Sequence, residues 1–148
     1  MSRIEAKARS AARLAAVQAL YQLDMETPEL HILLDEFHRH RLGAEIEDVE
    51  YLEADVAFFD AIVQGVAARK DEVDGVLTAR LASGWTVARL DKTMLQILRA
   101  GAWELMARPD VGVGTVINEY LDVTHAFFDA REAKFVNGLL DAVAKDVR

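Results

Sequence analysis

Apolar residues recur three and four positions apart along almost the whole chain, the spacing of one helical face. The first predicted helix runs from about Arg3 to Asp24. It lacks Gly and Pro and carries Leu14, Val17 and Tyr21 at i, i+3 and i+7, with Arg9 and Arg13 four apart on one face and Arg3 and Lys7 four apart on another. Thr27-Pro28 reads as an N-cap followed by a first-turn proline. The helix it opens passes through Leu30, Leu33, Leu34 and Phe37 to about Arg41, and Gly43 ends it. The segment from Ala44 to Glu53 is strongly acidic and reads as containing a loop.

From Asp55 a third helix carries a broad apolar stripe of Phe58, Phe59, Ile62, Val63 and Val66. A shorter fourth uses Val73, Val76, Leu77 and Leu81 and breaks at Ser83-Gly84. A fifth, marked by Leu90, Met94, Ile97, Leu98, Ala102 and Leu105, stops before Arg108-Pro109. Gly112 and Gly114 read as loop residues, and Thr115 as the cap of a sixth helix carrying Val116, Ile117, Tyr120, Leu121, Thr124, Phe127 and Phe128. Asp129 caps the last, with Phe135, Val136, Leu139, Leu140, Val143 and Val147 as its apolar positions. With no alternating strand of useful length and no internal repeat, the fold class is all-α.

The length of 148 residues fits one domain, 1–148, and 52% hydrophobic against 28% charged residues suits a folded core rather than a disordered chain. With only 2 Pro and 8 Gly, the composition favours helices. No apolar stretch is long enough to span a bilayer, and the start lacks the apolar core of a signal peptide, so a soluble cytoplasmic protein with no membrane partner is the default.

A net charge of −8 argues against tight non-specific RNA binding, but the acidity is local. Residues 1–25 carry four bases against two acids, residues 26–60 two against eleven, and residues 61–148 eleven against twelve. Screening over roughly 8–10 Å leaves the N-terminal helix and the C-terminal half open to an anion.

Catalytic chemistry has little to stand on. Cys is absent, which excludes disulfides, a thiol nucleophile and cysteine-ligated metal. There is no GxGxxG and no P-loop, and the acidic run at 45–55 reads as a solvated face. His38 and His40, two apart on a helix, point in different directions and do not share a metal. His125 has no evident serine or cysteine partner and reads as an ordinary helix histidine. The sequence therefore nominates no catalytic residue, metal ligand or cofactor.

Several segments carry a resemblance across the whole chain. Ala15-Ala16-Val17-Gln18-Ala19-Leu20-Tyr21 ends the first helix, and Ile97-Leu98-Arg99-Ala100-Gly101-Ala102-Trp103-Glu104-Leu105 precedes Pro109-Asp110-Val111. Val116-Ile117-Asn118-Glu119 and Lys134-Phe135-Val136-Asn137-Gly138-Leu139-Leu140-Asp141 follow. In this order and spacing they resemble the NusB family of bacterial transcription antitermination factors. The resemblance implies about seven helices in two packed subdomains, joined to the ribosomal protein NusE and bound to the boxA element of nascent RNA. That assembly acts on RNA polymerase to prevent early termination in ribosomal RNA operons. It implies RNA contacts at Arg9, Arg13, Tyr21, Lys134 and Phe135, with Arg99 a weaker candidate, and a NusE surface mainly on the C-terminal half.

Elementary chemistry suits some of these assignments. A guanidinium offers phosphate paired, charge-assisted hydrogen bonds and stays charged, and an aromatic ring can stack on an unpaired base. Periodicity alone, however, reads Phe135 as a core anchor and Tyr21 as a continuation of the Leu14–Val17 stripe, while Arg9 and Arg13 also fit a solvated helix face. Asn118, Glu119, Asn137 and Gly138 read as structural, Gly138 by permitting close helix approach.

The chain departs from the family pattern at Ser10 and Ala11, where basic residues are common, at Gly112, where Pro is frequent, and at Phe127-Phe128. The thinner basic cluster predicts weak RNA binding by the isolated protein, reinforced by NusE. Two other readings stand beside this one: the RNA-binding domain of an rRNA cytosine methyltransferase, and a helical interaction module that forms a homodimer.

Overall fold

The alanine-rich N-terminal segment forms a 24-residue helix, α1 (Arg3–Glu26), in a computed structural model that describes residues 2–40, 42, 45–46, 50–51 and 55–148. The Ser2 hydroxyl accepts the Glu5 backbone N–H at 3.1 Å, satisfying one of the amides that a helix N-terminus leaves unpaired. Thr27 does not cap the next helix. It closes α1 in the left-handed region (φ 48°, ψ 47°), and its N–H bonds the Leu23 carbonyl. A β-branched residue is uncommon there. The exit of α1 thus claims Thr27, and α2 (Leu30–His40) begins after Pro28-Glu29, with Leu33 N–H on the Glu29 carbonyl.

Beyond α2, two short strands, β1 (Glu45–Ile46) and β2 (Glu50–Tyr51), pair antiparallel with Glu45 opposite Tyr51. The expected helix end at Arg41 and Gly43 and most of the acidic run lie outside the described residues. The remaining elements are α3 (Val56–Ala68), α4 (Lys70–Thr78), a 3-10 turn (Val87–Arg89), α5 (Lys92–Ala107), α6 (Val113–His125) and α7 (Ala130–Val147). The all-α reading holds, with seven α-helices among the described residues.

The chain divides into two compact units, Met1–Gln64 and Gly65–Arg148. The first buries an alanine-rich face of α1 (Ala12, Ala15, Ala16, Val17, Ala19, Leu20) together with Leu33, Leu34 and Phe37 of α2 and Phe58, Phe59, Ile62 and Val63 of α3. Phe37 and Phe59 stack with centroids 5.5 Å apart.

In the second unit α5 is enclosed by α4, α6 and α7, and every residue from Met94 to Leu105 is buried. Asp91 opens α5 by accepting the Thr93 and Met94 N–H groups. Gly101 lets Leu140 and Tyr120 pack against the α5 backbone. The Tyr120 hydroxyl donates to buried Glu104 at 2.7 Å, which gives the carboxylate a partner inside the core. At the other end of α5, the Arg148 guanidinium donates to the carbonyls of Glu104, Leu105, Arg108 and Val111. One side chain thereby satisfies acceptors that the helix terminus leaves open.

The boundaries of α4 and α6 differ from the sequence reading, and α6 ends at His125, ahead of Phe127 and Phe128. α6 begins at Val113 behind Gly112, so Thr115 and Gly114 lie inside the helix and Asn118 and Glu119 beyond its first turn. α4 ends at Thr78, leaving Leu81 outside, and Gly84 (φ 87°) takes a conformation that favours glycine. Asp129 does cap α7, in a reciprocal capping box with Glu132.

Arg80 and Asp146 tie the segment after α4 to α7, with Arg80 Nε donating to Asp146 Oδ2 at 2.6 Å. The Arg80 hydrogen bond holds the Asp146 carboxyl below its ordinary value of 3.8. Because the folded pKa is the lower one, this pair stabilises the protein above pH 3.8 and ceases to do so as pH falls through the depressed value. Asp146→Asn is expected to melt slightly below wild type at neutral pH, with the gap closing in acid. A gap independent of pH would contradict the assignment.

Candidate nucleic-acid interface

The six residues nominated from the sequence separate sharply by exposure. On the first unit, Tyr21 is 39% exposed, so its ring is available to solvent rather than spent in the stripe of Leu14 and Val17. Arg13 is only 2% exposed, with its guanidinium carbon 4.8 Å from the centroid of the Phe58 ring. Arg9 packs on the same ring at 4.6 Å, yet its side chain remains 22% exposed. Both contacts are within the range at which a cation is attracted to an aromatic face.

Arg9 differs from Arg13 in what else holds it. Its Nε lies 3.8 Å from Asp55 Oδ2, an ion-pair separation too long for a hydrogen bond. Among the described residues, no acceptor takes an Arg9 N–H. Asp55 itself is well fixed. Its Oδ1 accepts the Phe58 backbone N–H at 2.9 Å at the start of α3, and its own N–H bonds the Ala8 carbonyl at 3.0 Å. The start of α3 is therefore hydrogen-bonded to α1 beside Arg9.

On the second unit, Arg99 is committed to the interior. Its Nε and Nη2 each donate at 2.8 Å to the two Asp74 oxygens, and Nη1 reaches Gln96 Oε1 at 3.5 Å. A guanidinium engaged edge-on by a carboxylate cannot present that edge to a phosphate. Arg13 and Arg99 thus stand as buried, structurally engaged cations, whereas the resemblance implies RNA contacts for Arg13 and, more weakly, for Arg99. Helical periodicity could not anticipate this, because the partners Phe58 and Asp74 lie 45 and 25 positions away.

Lys134 and Phe135 lie on the solvent side of α7. Phe135 is 40% exposed, against the core-anchor reading of its periodicity, while Val136, Leu139, Leu140 and Val143 form the buried stripe. Among the described residues Lys134 has no ion-pair partner. Asn137 and Gly138 are exposed too, and a Cβ at Gly138 would meet nothing within 4 Å. Gly138 therefore does not serve close helix approach. It leaves bare backbone one turn from Lys134 and Phe135, at a cost of about 1 kcal/mol in helix propensity.

Among the described residues no three His, Asp or Glu side chains converge, and His38 is occupied by Asp60, with its Nε2 2.6 Å from Oδ1. His125 is exposed at the end of α6. No helix among the described residues is long and apolar enough to cross a membrane.

The residue missed from sequence is Phe58. It is legible only as one member of the α3 stripe, and nothing local marks it as the ring that Arg9 and Arg13 both pack on.

The fold is of the all-α class, with exposed aromatic and cationic side chains on α1 and α7, the residue types that contact nucleic acid in helical proteins. The comparisons make this specific. The NusB family profile matches residues 10–145, and the chain belongs to the NusB family. It is 77% identical over 148 residues, all of both chains, to the transcription antitermination protein NusB of Novosphingobium aromaticivorans. Among solved structures, NusB of T. maritima has a TM-score of 0.74 at 26% identity, covering 93% of this chain and 91% of that one. The crystal structure of antitermination factors NusB and NusE in complex with dsRNA contains a chain of the same fold. Its TM-score is 0.73 at 24% identity, with 99% of each chain covered.

Proposed function

We propose that this protein is a non-enzymatic transcription antitermination factor that binds boxA-type RNA together with ribosomal protein NusE. In this role it acts in the cytoplasm as part of an RNA polymerase complex that transcribes ribosomal RNA operons. The full-length match to a curated antitermination protein supports this reading over that of a methyltransferase's RNA-binding domain. A chain of the same fold stands in a complex with NusE and dsRNA, which supports NusE and an RNA as partners.

The observation that carries the reading is the pair Lys134–Phe135. A cation with no ion-pair partner among the described residues and an aromatic ring 40% exposed stand side by side on α7, with the bare backbone of Gly138 one turn away. An exposed ring can stack an unpaired base, worth about 1–3 kcal/mol, while the ammonium meets the adjoining phosphate. Tyr21 and Arg9 provide the same two chemistries on the first unit. Arg13 and Arg99 support the fold around these contacts rather than touching RNA.

Fluorescence anisotropy with a boxA-type RNA and a scrambled RNA, with and without NusE and at fixed salt, tests this. Phe135→Ala is expected to weaken boxA binding about 5- to 100-fold. Lys134→Ala should weaken it less and reduce the salt slope by about 0.7. Arg99→Lys should act mainly on stability. Equal affinity for the two RNAs in both conditions would overturn the reading. Light scattering in the same titration asks whether a homodimer forms and whether RNA dissolves it.

A further inference from the structure

Among the described residues, Arg9 is the one α1 cation that is at once held in place and open to a new partner, and Asp55 is the group that limits it. The Phe58 ring fixes the guanidinium at 4.6 Å without consuming any of its N–H donors. Asp55 faces it at 3.8 Å, close enough for Coulombic attraction but not for a hydrogen bond. Both charged side chains are partly solvated, 22% for Arg9 and 33% for Asp55, so a phosphate oxygen can reach the same guanidinium. Arriving there, it would form the hydrogen bonds that Asp55 leaves unmade, and it would meet the repulsion of the Asp55 carboxylate.

We propose that Asp55 is a built-in competitor for Arg9 that weakens RNA binding, and that Phe58 is the positioning residue that keeps Arg9 presented while a phosphate takes the hydrogen bonds that Asp55 does not make. The proposal rests on the RNA-binding reading above and adds a means by which the affinity of the isolated protein is held down. Asp55 cannot move away freely, because its Oδ1 caps α3 and its N–H is bonded to Ala8. Its charge therefore stays beside the phosphate throughout, an opposing term fixed by the fold. In a chain with only four bases in its first 25 residues, one cation masked in this way is a large share of the available attraction.

Asp55→Asn separates the charge from the cap, because asparagine caps helices as well as aspartate does. With the full chain and a single-stranded boxA-type RNA, the variant is expected to bind about three- to tenfold more tightly than wild type near 0.1 M salt. Its salt slope should steepen by up to about 0.7, as one more phosphate is effectively neutralised. A purely structural role for Asp55 would leave affinity unchanged or lower it.

The double variant Arg9→Ala/Asp55→Asn decides the route. Most of the gain should vanish when Arg9 is absent, and a gain that persists undiminished would show that Asp55 acts as a distant charge and overturn the competition. Phe58→Leu, which keeps an apolar side chain but removes the aromatic face, should lose several-fold in affinity and abolish the benefit of Asp55→Asn. A full benefit in that background overturns the role given to Phe58. Thermal melts of each variant identify any that fail to fold.

The failures are distinguishable from those of the function itself. Wild type that binds boxA and scrambled RNA equally overturns the boxA reading, while the Asp55→Asn gain still reports the competition on either RNA. Wild type that binds boxA selectively, with no gain in Asp55→Asn, overturns the competition alone. No binding to either RNA at any salt, with or without NusE, overturns both.

Discussion

Gly65→Ala is expected to destabilise the protein by about 3 kcal/mol, at the upper end of what one inserted methyl group costs in a packed interior. Elsewhere in a helix the same change gains up to about 1 kcal/mol, because alanine loses less backbone entropy on folding. Here sterics decide the sign. A Cβ at Gly65 would stand 2.2 Å from Trp103 Cε2, 2.3 Å from Nε1 and 2.4 Å from Cζ2. These atoms belong to a rigid, bicyclic side chain that is itself buried, so no flexible end can bend away. Either the indole leaves its site or the helices separate.

For a domain of this size, the loss corresponds to a fall of about 10 °C in melting temperature. Gly138→Ala serves as the control, since its Cβ would enter open space and a small gain is expected. A melting temperature unchanged in Gly65→Ala would mean that Trp103 has another accommodating site. Tryptophan emission would then report its movement.

Asp74→Ala is expected to cost about 3 kcal/mol through a different mechanism, the loss of the carboxylate that faces a buried guanidinium. Arg99 is 7% exposed and directs two donors at Asp74, so the variant retains the desolvation cost of the charge without its bidentate partner. The pair itself need not stabilise the fold relative to apolar residues. Asp74→Leu/Arg99→Met should recover most of the loss if the fault lies in the orphaned charge. Chemical denaturation checks both, and a double variant as unstable as Asp74→Ala would place the cost in lost packing instead. Because Arg99 is engaged in this pair, RNA affinity corrected for unfolding should hardly change.

Several elements were readable because their signals are local. The Asp129 cap with Glu132 three residues on, the helix stop before Pro109 and the apolar stripe of α3 each depend on residues within about two turns of one another. Where two local signals competed for one residue, the chain alone could not rank them. Thr27-Pro28 has the form of a helix start, yet Thr27 is taken by the end of α1, where its N–H meets the Leu23 carbonyl. Gly138 has the form of a packing glycine, and nothing local marks Gly65 as one. Their actual roles are reversed, because what lies opposite a helix face is set by other helices.

The sequence by itself determined the helical class, the positions of most of the apolar stripes, the lack of cysteine chemistry and the family, since each follows from residue type and short-range spacing. Tertiary structure alone decided which cations and rings face solvent. Phe135 and Tyr21 sit at helical positions compatible with a core, and they are exposed because the stripes beside them fill the interior. Arg13 and Arg99 sit at positions compatible with a surface, and they are buried because Phe58 and Asp74 approach from distant parts of the chain. A charged side chain enters a low-dielectric interior only where such partners await it, and their arrival is a property of packing that no local pattern encodes.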